Sequence, residues 1–253
     1  MAITRLSVSS ISNGFPKFQR AWDQSTLIGQ DVVDIFGDSS GLALWRLEGN
    51  ANDSGGNYNG TTSGVTYSTT RKERTGNFSG IFLPNSGSTI SIPSVRNSYP
   101  LSVSLWAQND FGWNNVNQAQ YEIFNMSIAG NRLSLGWTYE GSWTPQKGLT
   151  VMYGNSNHWS GKPSNDFNYD STSFFHIVYC VPSYNGTPVV YVNGTSITMN
   201  NNGGGHGGSP GWNIGSNSTS GEYWTGKLDQ IRFFNKVLTQ SEVNTLYNGG
   251  LGI

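Results

Sequence analysis

The histidines are the first place to look for chemistry, and their spacing argues against it. His158, His176 and His206 are far apart in the chain. None belongs to a His-Glu-x-x-His pair, which would set two imidazoles on one helix face for a metal. There is no Gly-x-Ser-x-Gly turn to expose a nucleophilic serine, and the glycine cluster 200–208 lacks the following Lys-Ser/Thr of a phosphate loop. Asp166 and Asp170 lie in a Ser/Asn-rich stretch and read as solvated loop acids. The single cysteine, Cys180, rules out an intrachain disulfide and sits in the apolar run 174–181, where it reads as a buried thiol. The expectation is a protein without catalytic residues.

Aromatic rings beside amides offer a different chemistry. Trp113, Trp143, Trp159 and Tyr169 fall in polar surroundings, His158 adjoins Trp159, and Trp106 shares the Ser102/Ser104 side of an alternating run. Such rings can stack on the C–H face of a sugar while neighbouring amides bond its hydroxyls. They can equally pin long loops or pack between subunits. Trp45 and Trp137 read as core. Asp229 is the one acid in an apolar strand. By simple alternation it shares a face with Ile231 and Phe233, and a carboxylate there needs an ion partner, a hydrogen bond or a cation.

The elements that must carry these residues are strands. Glycine is abundant (33 residues) and aromatics reach 13%, the composition of many short strands joined by tight turns. Strand patterns fall at 42–47, 76–83, 89–92, 101–105, 121–128, 132–139, 149–153, 174–181, 189–192, 195–197 and 227–234. Residues 101–105 alternate with a period of two, whereas 174–181 is apolar on both faces, as a central strand would be. Asn193-Gly194 between two such runs predicts a hairpin, because both turn residues need positive φ. Only one helix is predicted: Thr239 and Glu242 have capping-box spacing, Val243, Leu246 and Tyr247 form a stripe, and Gly249-Gly250 stop it. The pattern predicts an all-β sandwich over 41–253. It is preceded by an arm, 1–40, in which Arg5, Phe15, Phe18, Arg20 and Trp22 are candidate attachment residues. Charged residues are scarce (11%) and the net charge is −1, so no basic footprint for nucleic acid or anionic lipid exists. No apolar run is long enough to span a bilayer, and residues 1–15 lack a signal-peptide core.

Three segments in order resemble the laminin-G-like, concanavalin A-like family. Ala43-Leu44-Trp45-Arg46-Leu47-Glu48-Gly49-Asn50, running into Asp53-Ser54-Gly55-Gly56-Asn57, looks like its opening strand and turn. Phe174-Phe175-His176-Ile177-Val178-Tyr179 with Tyr191-Val192-Asn193-Gly194 is similar to its central pair of strands. Gly226-Lys227-Leu228-Asp229-Gln230-Ile231-Arg232-Phe233-Phe234, continuing to Thr239, resembles its closing strand and helix. The resemblance implies a two-sheet antiparallel jelly roll with one short C-terminal helix, a structural His176, and a structural Ca²⁺ at Asp229 with oxygens near Glu48 and Gly76. No other cofactor is implied. The Glu-x-Asp-x-Glu strand of the family's glucanases is missing here.

Residues 1–14 also look like the start of bacteriophage structural proteins. Together with the missing signal this suggests a virion surface protein, a head decoration or tail-fibre component made in the host cytoplasm. Its expected partners are capsid or tail proteins and host-surface glycans, with a homo-oligomer on the particle. The alternatives are a stand-alone carbohydrate-binding adhesin and, less favoured, a glycan-degrading enzyme.

Overall fold

The computed structural model describes residues 32–70, 76–83, 87–109, 120–138, 148–154, 157–161, 173–204, 211–217 and 222–252. In chain order the strands are β1 (Gly41–Trp45), β2 (Thr61–Ser63), β3 (Thr66–Ser68), β4 (Ser79–Phe82), β5 (Thr89–Ser91) and β6 (Leu101–Asn109). Next come β7 (Gln120–Ile128), β8 (Asn131–Thr138), β9 (Gly148–Tyr153), β10 (Asn157–Gly161), β11 (Phe175–Val181) and β12 (Val189–Val192). The last are β13 (Thr195–Ile197), β14 (Asn200–Asn201), β15 (Asn213–Ile214), β16 (Ser216–Asn217), β17 (Glu222–Tyr223) and β18 (Gly226–Phe234). One α-helix, α1 (Gln240–Tyr247), follows.

Two eight-stranded antiparallel sheets stack face to face. Sheet A runs β13-β12-β11-β6-β18-β4-β3, with β1 also on β18, and sheet B runs β14-β10-β9-β8-β7-β15-β5-β2. Neighbours in a sheet are mostly distant in sequence, as a jelly roll requires. The alternation in β6 and β8 sends Leu101, Val103, Leu105, Leu133, Leu135 and Trp137 into the space between the sheets, where they join Trp45, Phe124, Ile177 and Phe233. Trp45 and Trp137 are core residues, as their patterns predict. The Tyr179 hydroxyl donates across this core to Gly136 O at 2.8 Å, tying one sheet to the other.

Sheet A is buried on its outer face too. Val178, Cys180, Tyr191 and Phe234 form a second apolar layer with Leu238, Val243 and Leu246 of the C-terminal segment, and Ile35 and Phe36 pack on it. This is why β11 is apolar on both faces, and why Cys180 is a buried thiol. Residues 32–40, assigned above to the arm, lie on this same layer: Arg232 donates to Val32 O at 2.7 Å and Lys236 sits over the Phe36 ring. The attachment candidates Arg5, Phe15, Phe18, Arg20 and Trp22 lie outside the described residues.

Local signals hold where they are strongest. Asn193 and Gly194 have φ of +48° and +80° and close the β12–β13 hairpin. Thr239 and Glu242 form the complete capping box of α1. The opening turn is organised by Asp53, 4% exposed. One of its oxygens accepts Leu44 N–H at 2.9 Å, and the other accepts Asn57 and Tyr58 N–H at 3.0 and 3.2 Å. Asn200 and Asn201, which open the glycine cluster, form the edge strand β14 against Trp159 and Ser160.

Candidate functional site

Register decides where each candidate points. Across sheet A, Trp106 lies opposite both His176 and Asp229, and Ser104 lies opposite Val178 and Arg232. Directly paired residues share a face, so Trp106, His176, Asp229 and Arg232 all stand on the outer side of sheet A. Two expectations are corrected here. Trp106 is not a solvent-facing ring: it is 2% exposed, because α1 closes over it and Tyr247 stacks on it at 5.9 Å between ring centroids. Asp229 does not share a face with Ile231 and Phe233. A β-bulge between Asp229 and Arg232, with Gln230 at φ +48°, resets the alternation and turns Asp229 outward.

His176 is the hydrogen-bonded core histidine its pattern suggests. Its Nε2 is 2.8 Å from Ser104 Oγ, and Trp106 and Tyr247 flank its ring at 5.0 and 6.0 Å. Burial, followed by the nearby Arg232 charge, pushes its pKa down to about 3, so the imidazole is neutral.

The residues expected at a calcium site lie on three neighbouring elements. Leu228 pairs with Gly80 and Ile231 with Trp45, so Asp229 lies where β4 and β1 both leave β18. Glu48 follows β1, and its carboxylate accepts Asn77 N–H at 2.6 Å and Phe78 N–H at 3.3 Å, clasping the turn that begins at Gly76. Two carboxylates and backbone carbonyls suit a hard cation. Among the described residues no group of three or more His, Cys, Asp or Glu side chains is arranged to hold a metal.

The polar side chains gather elsewhere, on the outer face of sheet B. Asn213 is opposite Asn125, Asn125 opposite Ser134, Ser134 opposite Met152, and Met152 opposite His158. Gly136, Thr150 and Ser160 make a parallel row. Asn125, Ser134, Thr150 and Ser160 are fully buried. Both amide atoms of Asn125 and the hydroxyl of Thr150 have no hydrogen-bond partner among the described residues. Buried polar atoms are seldom left so, and each costs about 1–3 kcal/mol when unsatisfied.

At one end of this face a bulge at Ile123 brings Glu122 onto the same side as Asn125. Arg132 reaches Glu122 in a direct ion pair, and the same nitrogen lies 3.4 Å from Glu222 Oε2. Burial pushes Glu122 up to about 8, with Arg132 pulling it down and Glu222 pushing it further up. No sequence motif announced this triad. Its trace is a lone glutamate inside an apolar strand, with its partners ten and a hundred residues away.

Of the proposed sugar-binding residues, His158 lies on this face. Trp159 is not in a loop: it belongs to β10, and since it pairs with Val151 its half-buried ring packs on the core between the sheets. Trp113, Trp143 and Tyr169 lie outside the described residues, as do Asp166, Asp170 and His206. The strands bounding the segments that carry Trp143 and Tyr169 end side by side, Thr138 opposite Gly148 and Leu149 opposite Gly161.

Two antiparallel sheets in jelly-roll order, one outer face capped by a helix and the other lined with amides and hydroxyls, define a lectin-type sandwich. The chain belongs to the concanavalin A-like lectin/glucanases superfamily, whose laminin-G-type family model matches residues 84–244, more than half of its length. No curated protein sequence matches it.

Among solved structures it is similar to domain 4 of AbnA, an extracellular arabinanase of Geobacillus stearothermophilus, in complex with arabinotriose. The identity is 19% and the TM-score 0.56, over 84% of this chain and 98% of that one. The sialidase of Trypanosoma rangeli aligns at 14% identity and TM-score 0.58, over 94% of this chain and 39% of that chain. The binding domain of Paraclostridial Mosquitocidal Protein 1 aligns at 16% and 0.52, over 83% and 52%. The chain thus spans about half, or less, of the last two. At such identities the likeness concerns the fold.

Proposed function

We propose that the chain is a non-catalytic glycan-binding module whose site is the polar outer face of sheet B. The observation that carries this reading is the pair of fully buried, unpartnered side chains Asn125 and Thr150 on a face otherwise made of serine, asparagine and histidine. An amide offers a donor and an acceptor, and a hydroxyl offers both, which is the complement of vicinal sugar hydroxyls. AbnA domain 4, of the same fold, was solved with an arabinose trisaccharide. The non-catalytic part is supported by the sequence, which lacks the Glu-x-Asp-x-Glu strand of the family's glucanases.

The test is a glycan array with purified protein, followed by titration of the best glycan against Asn125→Ala and Thr150→Val, with folding checked by circular dichroism. Folded variants that bind at least about tenfold more weakly support the site, one hydrogen-bonded group being worth about 1.4 kcal/mol. Folded variants with unchanged affinity would move the site elsewhere. Release of reducing sugar from the bound glycan would overturn the non-catalytic reading.

The virion setting is a further part of the proposal. The chain at 32–38 meets the sandwich on the sheet A side, opposite the polar face. Removing 1–31, and not 1–40, should leave a folded sandwich that no longer binds phage particles. Undiminished particle binding would reject the arm.

A further inference from the structure

Five Asn-Gly pairs occur among the described residues, at 59, 185, 193, 202 and 248. Asn-Gly is the dipeptide in which the side-chain amide is most open to attack by the next backbone nitrogen, because glycine brings no Cβ to shield it. In four of the five the amide is held. Asn59 Oδ1 accepts Asp53 N–H at 2.9 Å, and Asn193 Oδ1 accepts His176 N–H at 2.8 Å. Asn202 Nδ2 donates to Ser160 Oγ at 2.5 Å, and Asn248 Nδ2 donates to Gly252 O at 3.0 Å. The fifth, Asn185, is exposed, and its amide bonds to no described residue. It sits at φ +57° in the turn between β11 and β12, where Gly186 N–H donates to Ser183 O at 3.1 Å.

We propose that Asn185 is the deamidation site among the described Asn-Gly pairs, the one at which the folded chain converts to aspartate and isoaspartate. The Gly186 nitrogen attacks the Asn185 side-chain carbon. A nitrogen–carbon bond forms, the carbon–Nδ2 bond breaks, and the proton lost by Gly186 leaves with the ammonia. Water then opens the cyclic imide at either carbonyl, giving aspartate or isoaspartate, with no oxidant or reductant involved. Isoaspartate lengthens the turn by one main-chain carbon. The next carbonyl, Gly186 O, accepts the Tyr153 hydroxyl at 2.9 Å, so the lesion falls beside a tie between the β11–β12 turn and sheet B.

The experiment is timed incubation of the full chain in mildly alkaline buffer, native and in urea, followed by peptide mapping with mass spectrometry. The Asn185 peptide of the native protein should gain the amide-to-acid mass increment first, as an aspartate–isoaspartate mixture. It should lead the other four by about tenfold, the rate counterpart of freeing an amide from one hydrogen bond. In urea the five should converge, and Asn185→Gln should remove the early product. Conversion of any of the other four pairs as fast as Asn185 in the native protein would overturn the proposal. So would an Asn185 product free of isoaspartate, which excludes the imide.

Discussion

Acid and base should both weaken this fold, for reasons that two buried residues supply. Burial lowers His176 from its ordinary 6.5 to about 3 and raises Glu122 from 4.5 to about 8. Between about pH 3 and 6.5 the unfolded chain holds a proton on His176 that the folded chain does not, so stability rises with pH, by about 1.4 kcal/mol per unit. Between 4.5 and about 8 the folded chain holds a proton on Glu122 that the unfolded chain does not, so stability falls with pH at the same rate. From 4.5 to 6.5 the two slopes oppose each other and the profile is level. Below that plateau the His176 limb remains, joined by Asp38, which its hydrogen bond from Lys236 holds at about 2. Above it the Glu122 limb stands alone.

The assay is urea denaturation across the pH range for wild type, His176→Gln and Glu122→Gln, read as differences between wild type and variant. The His176 difference should grow by about 1.4 kcal/mol per unit from about pH 3 to 6.5 and then stop. The Glu122 difference should shrink over 4.5 to about 8, and Glu122→Gln should lack the alkaline limb. Differences that do not change with pH would refute the placement of both groups in dry surroundings.

Asp53→Ala strands three main-chain N–H groups and should cost about 3 kcal/mol in urea denaturation; a loss under 1 kcal/mol would show that the turn holds without it. Trp106→Ala opens a cavity beneath α1 and should cost about 3–5 kcal/mol, yet leave glycan affinity of the folded fraction unchanged by titration calorimetry, since the ring is no sugar platform. Thr239→Ala removes the helix cap and should lower stability by about 1 kcal/mol in the same urea assay. Calcium at the Asp229–Glu48 corner, proposed from the family resemblance, predicts a lower melting temperature in chelator, the loss reaching about 2.7 kcal/mol where the ion stands at a hundred times its Kd; an unchanged melt of protein shown to carry metal would count against it.

Local sequence determined much of the architecture. Alternation in β6, the two-faced apolar run of β11, Asn193-Gly194 and the Thr239–Glu242 box each act over a few residues, and each stands in the structure as its pattern demands. His176 and Cys180 were legible for the same reason, since a strand buried on both sides leaves a polar atom no other environment. What only tertiary structure decided depends on register and cover. One bulge residue, Gln230, reverses the face of Asp229, and no period-two count can see it. Trp106 looks amphipathic in sequence and becomes core because a helix a hundred and forty residues later lies over it. The polar face of sheet B and the Glu122–Arg132–Glu222 triad are brought together from strands that are strangers in sequence. Side-chain periodicity tells which face a residue takes, but only the packed sheets determine what that face meets.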